Sequence, residues 1–217
     1  MLNIHPTLPN GKPCRILCIG AHCDDIEIGC GGTLLRLCEQ YPNIICHWLV
    51  LCSVAEREAE CRSSAASFLG GAMESHLHIY DFKDGYLPYI GGEVKDQFER
   101  LKSRINPDII LTHYRHDLHQ DHRLVNELTW NTFRNHLILE YEVPKYDGDL
   151  GRPGFYVPLC DRHCQSKVDL LTRHYSSQQC HAWFCEQTFR GILKLRGIES
   201  GSPSGWAEAF YARKLIW

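Results

Sequence analysis

Short apolar runs alternate with helical segments through the first half of the chain, and this alternation constrains the fold more than any other feature. Each run has the length and composition of a buried strand, and the segments between the runs are typical of helices. The predicted strands are residues 15–19, 47–52, 76–80 and 108–112. The predicted helices between them are residues 33–40, 56–69 and 94–105. Elements in this order indicate an α/β domain with a mainly parallel sheet.

The first predicted helix follows Gly31 and Gly32, which we expect to form the turn that starts it. After residue 123 the alternation loosens. Helical composition recurs there, and a connection rich in glycine and proline occupies residues 147–158. Since no repeat and no shift in composition marks a boundary, we expect one domain over residues 1–217 with an irregular C-terminal third. The later predicted helices are residues 124–135, 167–175 and 182–195.

The composition argues against several classes of protein. A formal net charge of -3 gives no reason to expect nucleic acid or an anionic membrane as a partner. No apolar run approaches the roughly 20 residues that cross a bilayer, and residues 1–6 lack the pattern of a secretory signal. In such a chain the 12 cysteines favour reduced thiols and a cytoplasmic location. A homo-oligomer is compatible with these features.

Two polar clusters follow the first and the fourth predicted strand. Residues 22–25 read His-Cys-Asp-Asp, and residues 117–122 read Asp-Leu-His-Gln-Asp-His. Because the carboxyl ends of parallel strands meet at one edge of a sheet, we expect both clusters on the same rim. Two imidazoles with one carboxylate suit a catalytic zinc ion, which keeps a position open for water. The sequence therefore predicts a metal site, with one of the two adjacent aspartates on the metal and the other on the water.

Each cluster by itself is a weak signal, since a lone His-x-Asp-Asp segment is more often a solvated turn or a helix cap. Other kinds of site fit less well. The glycines at 29–32 lack the third glycine of a dinucleotide-binding turn, which would fall at Leu34. No Gly-x-Ser-x-Gly nucleophile elbow occurs. The spacing of four later cysteines is too loose for a structural zinc site. These are Cys160, Cys164, Cys180 and Cys185.

Residues 21–33 resemble the Ala-His-Pro-Asp-Asp…Gly-Gly signature of the LmbE-like, or PIG-L, deacetylase family, and residues 106–108 with 117–122 resemble its second signature. Cys23 and Gln120 stand where proline is common in the family; neither change removes a group that the reaction needs, although Cys23 adds a thiol beside the metal. Weaker matches occur in the family's order at Arg57-x-x-Glu60, Ala65-Ala66, Leu69-Gly70, Asp84-Gly85, Lys167, Ser177-Gln178, Arg196-Gly197 and Ala207-Glu208-Ala209-Phe210.

The resemblance implies a Rossmann-like three-layer domain and a zinc-dependent hydrolase that removes an acetyl group from an N-acetylated sugar of the N-acetylglucosamine type. By position it implies that His22, Asp25 and His122 bind Zn²⁺ and that Asp24 is the general base. Zinc polarises the amide carbonyl and lowers the pKa of water, and a base accepts the water's proton.

The resemblance also implies that His119, oriented by Asp121, stabilises or protonates the tetrahedral intermediate. It makes Arg57 a candidate for contact with the substrate or the oxyanion. A helix arginine that pairs in solvent with Glu56 or Glu60 is the alternative reading of Arg57.

Other reactions occur on the same site in this family, namely hydration of a small carboxylic acid and cleavage of a thiol conjugate. A hydratase would need several arginines around the pocket, and four arginines in predicted rim segments keep that alternative open. A non-catalytic binding protein is disfavoured because it has no use for a base such as Asp24. The four arginines are Arg115, Arg123, Arg152 and Arg162.

Aromatic side chains in the same loops could stack on the face of a sugar. The candidates are Tyr86, Tyr89, Tyr146 and Tyr156.

Overall fold

A computed structural model describes residues 12–216 of the chain. These residues form seven strands and six α-helices, with short 3₁₀ turns at 87–90 and 176–178. The strands are β1 (Cys14–Gly20), β2 (Ile44–Val50), β3 (Glu74–Ile79), β4 (Ile109–His113), β5 (Leu137–Tyr141), β6 (Phe155–Leu159) and β7 (Trp206–Ala212). The helices are α1 (Asp25–Gln40), α2 (Ala55–Phe68), α3 (Gly91–Lys102), α4 (Gln120–Thr132), α5 (Asp161–His174) and α6 (Glu186–Ser200).

The strands make one mixed sheet in the order β3-β2-β1-β4-β5-β7-β6. The first five strands pair in parallel, while β7 runs antiparallel to both of its neighbours. Alternate side chains of β1 enter different cores: Ile16 belongs to the core that contains residues of α1, α2, α5 and α6, and Leu17 belongs to the core that contains residues of α3 and α4. The three-layer α/β fold with a mainly parallel sheet is therefore confirmed.

Helix α1 begins at Asp25, so the prediction that Gly31 and Gly32 form a turn before a helix at Thr33 is wrong. The glycines lie inside the helix because neighbouring elements come close to its backbone. A Cβ atom at Gly29 would lie 2.1 Å from the Tyr141 ring of β5. Tertiary packing thus overrides the tendency of glycine to punctuate helices.

A buried ion pair contacts the middle of α1. Lys167 of α5 and Glu208 of β7 lie 2.6 Å apart and are 1% and 3% exposed. The Lys167 ammonium donates to the Ile28 carbonyl, and the Glu208 carboxylate accepts the backbone N–H groups of Gly32 and Thr33. The C-terminal part of the chain is in this way bonded to the helix whose first turn carries Asp25.

The C-terminal part of the chain contains three strands that the sequence pattern does not reveal. β6 begins inside the predicted connection 147–158 and ends one residue beyond it, at Leu159, and the sequence pattern predicts neither β5 nor β7. β6 is an edge strand, which is where a residue such as Pro158 is tolerated in a sheet. Among residues 12–216, no helix is long and apolar enough to cross a membrane.

Candidate active site

The two polar clusters meet at the carboxyl edge of β1 and β4, as the sequence predicts. β1 ends at Gly20, two residues before His22, and β4 pairs with it in parallel. The His22 and His122 rings are 5.2 Å apart although 100 residues separate them in the chain. The Asp25 carboxylate, in the first turn of α1, accepts the His22 backbone N–H at 2.7 Å. This bond holds the backbone of His22 against the start of the helix.

Three side chains expected to bind a metal bring their ligand atoms together. His22 Nδ1 lies 3.2 Å from His122 Nε2 and 3.4 Å from Asp25 Oδ2. His122 Nε2 lies 3.4 Å from Asp25 Oδ1. Ligand atoms of one tetrahedral metal ion lie about 3.3 Å apart, so each of these pairs has a suitable spacing, although Asp25 meets the two histidines through different oxygens. One ring nitrogen from each of His22, His119 and His122 also converges, which makes His119 a further candidate ligand.

His122 is held by a partner on its other ring nitrogen. Its Nδ1 lies 2.8 Å from Asp117 Oδ2, an arrangement that turns Nε2 towards Asp25. Burial lowers the pKa of His122 to about 4, with a further contribution from His113, so its imidazole is neutral at pH 7 and its lone pair is free to bind a cation. No role for Asp117 was predicted.

His113 is a site residue that sequence reasoning missed. It is fully buried at the end of β4, and its ring stacks on His122 with 3.8 Å between centroids. Its Nε2 accepts the Ala21 backbone N–H at 2.9 Å and lies 3.2 Å from Asp25 Oδ2. Together with Asp25 and His122 it makes a second group of converging ligand atoms. The available signal was a histidine ending an apolar strand beside the predicted rim.

Asp24 is paired with Arg57 of α2. The Arg57 Nη2 atom donates to Asp24 Oδ1 at 2.6 Å, whereas Asp24 Oδ2 is buried with no hydrogen-bond partner among the described residues. Burial raises the pKa of Asp24, and the charge of Arg57 opposes that rise. The reading of Arg57 as a solvated partner of Glu56 or Glu60 is wrong, because Arg57 pairs with Asp24 and the Glu60 carboxylate accepts bonds from Ser177.

The carboxylate of Asp121 does not pair with the His119 ring. It accepts the backbone N–H groups of Gly85 and Leu87, and its Oδ2 lies 3.3 Å from His22 Nε2. The backbone N–H of Asp121 donates to His119 Nδ1 at 3.3 Å, so His119 caps α4. Burial lowers the pKa of His119, which favours a neutral imidazole.

The loop after β3 contacts the His22 ring at its Nε2 atom. Asp84 Oδ1 lies 3.1 Å from His22 Nε2, and its side chain remains 65% exposed. Gly85 follows with a φ of 79°, a conformation that favours glycine and that directs its N–H to Asp121. Ligand atoms of His22, Asp84, His119 and Asp121 form a third converging group at the mouth of the site.

Cys23 is fully buried, its Sγ lies 3.7 Å from the Cys52 carbonyl oxygen, and it belongs to none of the converging groups of ligand atoms found among residues 12–216. Among the rim arginines, Arg162 pairs with Glu39 in the last turn of α1, far from the site at that helix's start. Arg123 donates to the Leu118 carbonyl. Exposed tyrosines follow two of the strands; these are Tyr86, Tyr89 and Tyr146.

A family model described as "PIG-L: GlcNAc-PI de-N-acetylase" matches residues 17–133, which include both polar clusters and His113. The chain belongs to the PIG-L family. As a member of this family, the protein is a hydrolase of the N-deacetylase type. A curated relative, the "Uncharacterized deacetylase YaiS" of Escherichia coli, is 31% identical over 139 residues, which are 59% of this chain and 74% of YaiS.

Solved structures share the fold of this PIG-L chain. The 4-carboxy-2-hydroxymuconate hydratase GalB of Pseudomonas putida has a TM-score of 0.73 at 13% identity, covering 94% of this chain and 98% of GalB. The N,N'-diacetylchitobiose deacetylase of Pyrococcus horikoshii has a TM-score of 0.60 at 18% identity, covering 91% and 83%. One fold therefore carries both hydratase and deacetylase activities among these proteins.

Proposed function

We propose that the protein is a zinc-dependent hydrolase that removes the acetyl group from an N-acetylated sugar of the N-acetylglucosamine type or from its conjugate. The observation that carries the proposal is the spacing of 3.2–3.4 Å between pairs of candidate ligand atoms, beside a buried carboxylate whose second oxygen has no partner among the described residues. His22, Asp25 and His122 form the ligand set, and Asp24 supplies the carboxylate.

The donor chemistry of these residues suits zinc, and His22, Asp25 and His122 would hold it. When bound there, zinc supplies a Lewis acid that polarises an amide carbonyl and lowers the pKa of water. Asp117 fixes the tautomer and orientation of His122 through its contact with Nδ1. His113 stands behind Asp25 and limits the orientations that its carboxylate can adopt.

Asp24 is the general base in this proposal. The bond from Arg57 fixes Oδ1, which leaves Oδ2 as the atom that accepts a proton from water and returns it to the departing amine. His119 lies at the more exposed side of the centre, 4.9 Å from the His22 ring, where a donor can face the developing oxyanion. Asp121 acts on His22 and on the loop at Gly85 rather than on the His119 ring.

The sugar substrate is supported by the family description and by the acetylated disaccharide named for the Pyrococcus horikoshii enzyme. The exposed rings of Tyr86, Tyr89 and Tyr146, in loops at the same edge of the sheet, suit stacking on a sugar face. A hydratase is the second candidate. Of the four arginines it could use, Arg162 pairs with Glu39 and Arg123 bonds to backbone, whereas Arg115 and Arg152 are exposed and available to an anionic substrate.

The test measures acetate release from free N-acetylglucosamine, diacetylchitobiose and a nucleotide-linked N-acetyl sugar, with zinc-loaded and chelated protein. We expect zinc-dependent release from at least one of them. Asp25→Ala should lose both metal and activity, and Asp96→Ala, in the exposed part of α3, should lose neither. No metal-dependent release from any member of the panel, or full metal content in Asp25→Ala, would overturn the proposal.

A further inference from the structure

A short turn at the end of α5 contacts both helices that carry the Asp24–Arg57 pair. The turn consists of residues 175–177 and follows the last residue of α5, His174. Asp24 immediately precedes α1, whereas Arg57 lies near the start of α2. Because 33 residues separate the two side chains in the chain, their bond depends on how the two helices are held relative to each other. The 175–177 turn is bonded to both of them.

Tyr175 bonds the turn to the start of α1. Its side chain is fully buried, and its hydroxyl group donates to the carbonyl oxygen of Cys23, the residue before Asp24. The same hydroxyl lies 2.5 Å from Glu27 Oε1, in the first turn of α1. Cys23 and Glu27 are fully buried as well, so water does not replace these contacts without a cost. Tyr175 is thus in contact with residues on both sides of Asp24.

Glu60 bonds α2 to the same turn. Its carboxylate accepts a hydrogen bond from the Ser176 hydroxyl at 3.0 Å. It also accepts the Ser177 backbone N–H at 2.9 Å and the Ser177 hydroxyl at 2.6 Å. Bonds to an ionised carboxylate are stronger than bonds between neutral groups. Since Glu60 lies three residues after Arg57 on one helix, these bonds fix the part of α2 that carries Arg57.

The guanidinium group of Arg57 has few restraints of its own. Within residues 12–216 its hydrogen-bond partner is Asp24, and its Nε atom is buried without one. The bond to Asp24 is 2.6 Å long. A shift of α2 by about 1 Å would stretch it beyond the range in which such bonds are strong. The position of α2 relative to α1 therefore decides whether this bond forms.

We propose that Tyr175 and Glu60 are positioning residues, which hold α1 and α2 at the separation that the Asp24–Arg57 bond requires. The inference rests on the proposed function, in which Asp24 is the general base, and extends it to residues outside the candidate active site. Tyr175 lies beyond residue 133, where the match to the family model ends. Misplacement of a group near the reacting atoms by about 1 Å can cost about 100-fold in rate.

The first experiment is a double-mutant cycle on kcat, with the zinc-loaded full chain and the acetylated sugar that it cleaves fastest. Glu60→Met and Tyr175→Phe should each lower kcat about 5- to 20-fold, with little change in KM. In an Arg57→Met background, Glu60→Met should lower kcat by less than about twofold, because the bond through which it acts is already absent. Glu60→Gln keeps an acceptor oxygen and should recover part of the loss. Additive losses in the double variant, or a rise in KM at constant kcat, overturn the proposal.

Matched controls remove the same groups at other positions of the two helices. Glu58→Met breaks an exposed pair with Arg62 on α2, and Tyr41→Phe lies just after the far end of α1. Both proteins should keep kcat within about twofold of the unsubstituted chain. Thermal unfolding checks that every variant is folded at the assay temperature. An equal fall in kcat in control and test variants overturns the proposal.

The second experiment measures the Asp24–Arg57 bond without using activity. Solvent exchange of guanidinium protons is followed by NMR in zinc-loaded protein with labelled arginine, and the Arg57 signals are assigned by their loss in Arg57→Lys. We expect protected protons in the unsubstituted chain and at least about tenfold faster exchange in Glu60→Met and Tyr175→Phe. Unchanged exchange overturns the inference even if the protein is an active deacetylase. The expected exchange in a protein that releases no acetate overturns only the proposed function.

Discussion

The guanidinium group of Arg57 lies 2.6 Å from Asp24 Oδ1, and this bond defines the orientation of the carboxylate proposed as the general base. Asp24 is 3% exposed, and its second oxygen has no partner in the described part of the chain. A buried carboxylate with one fixed and one free oxygen is suited to a single proton transfer at a defined point. Asp25 differs, because both of its oxygens lie near histidines.

Replacement of Asp24 with Asn should leave the metal bound and reduce kcat at least about 100-fold, because the amide keeps the shape of the side chain and cannot accept the proton. Metal content by atomic absorption and steady-state kinetics on the same preparation test this. An Asp24→Asn protein with near-normal turnover would remove Asp24 as the base.

Replacement of Arg57 with Met should lower kcat by about 10- to 100-fold with little change in KM, because Asp24 loses the partner that orients it. Arg57→Lys should restore part of the loss, and Arg62→Met, which breaks an exposed pair with Glu58 on the same helix, should have no effect. If KM rises while kcat stays constant, Arg57 binds the substrate rather than positioning the base.

Replacement of His113 with Phe should weaken zinc binding by about 10- to 100-fold, because Asp25 would lose a neighbour that restrains its carboxylate. The phenyl ring retains the stack on His122. Competition with a zinc chelator measures the affinity. His116→Phe, at an exposed position in the following loop, serves as the control, and equal affinities in both proteins would contradict the role of His113.

Replacement of Lys167 with Met should lower the free energy of unfolding by about 3–5 kcal/mol, since it leaves the Glu208 charge buried without its partner. Lys95→Met removes a partly exposed pair with Glu99 and should cost less than about 1 kcal/mol. Urea denaturation of the two variants tests the difference. Similar losses in both would show that the buried pair does not stabilise α1.

His47 should make the protein less stable in acid. Its pKa is about 4 in the folded chain, against about 6.5 when unfolded, so the unfolded chain binds the proton first as pH falls through that interval. Replacement of His47 with Gln should remove up to about 2.4 kcal/mol of the loss in unfolding free energy between pH 7 and pH 4.5. Urea titrations of metal-free protein at both pH values measure it, and an unchanged pH dependence would refute the contribution.

The local sequence was sufficient to predict the fold class and the meeting of the two clusters. Alternating apolar runs at 15–19 and 108–112 predict parallel strands, and parallel strands end at the same edge. The strands β5, β6 and β7 escaped prediction because they are short or lie beside glycine and proline, and their strand identity depends on neighbours in the sheet.

What the sequence by itself determined is the order of strands and helices from β1 to α4, and with it the edge of the sheet at which His22 and His122 converge. Only the tertiary structure decided which side chains contact one another at the candidate site. In the folded chain Arg57 bonds to Asp24, and His113 contacts Asp25. Asp121 accepts a bond from the Gly85 backbone and does not contact the His119 ring through its carboxylate. The physical reason is that strand and helix patterns follow from neighbouring residues, whereas these contacts depend on how separate elements pack against one another.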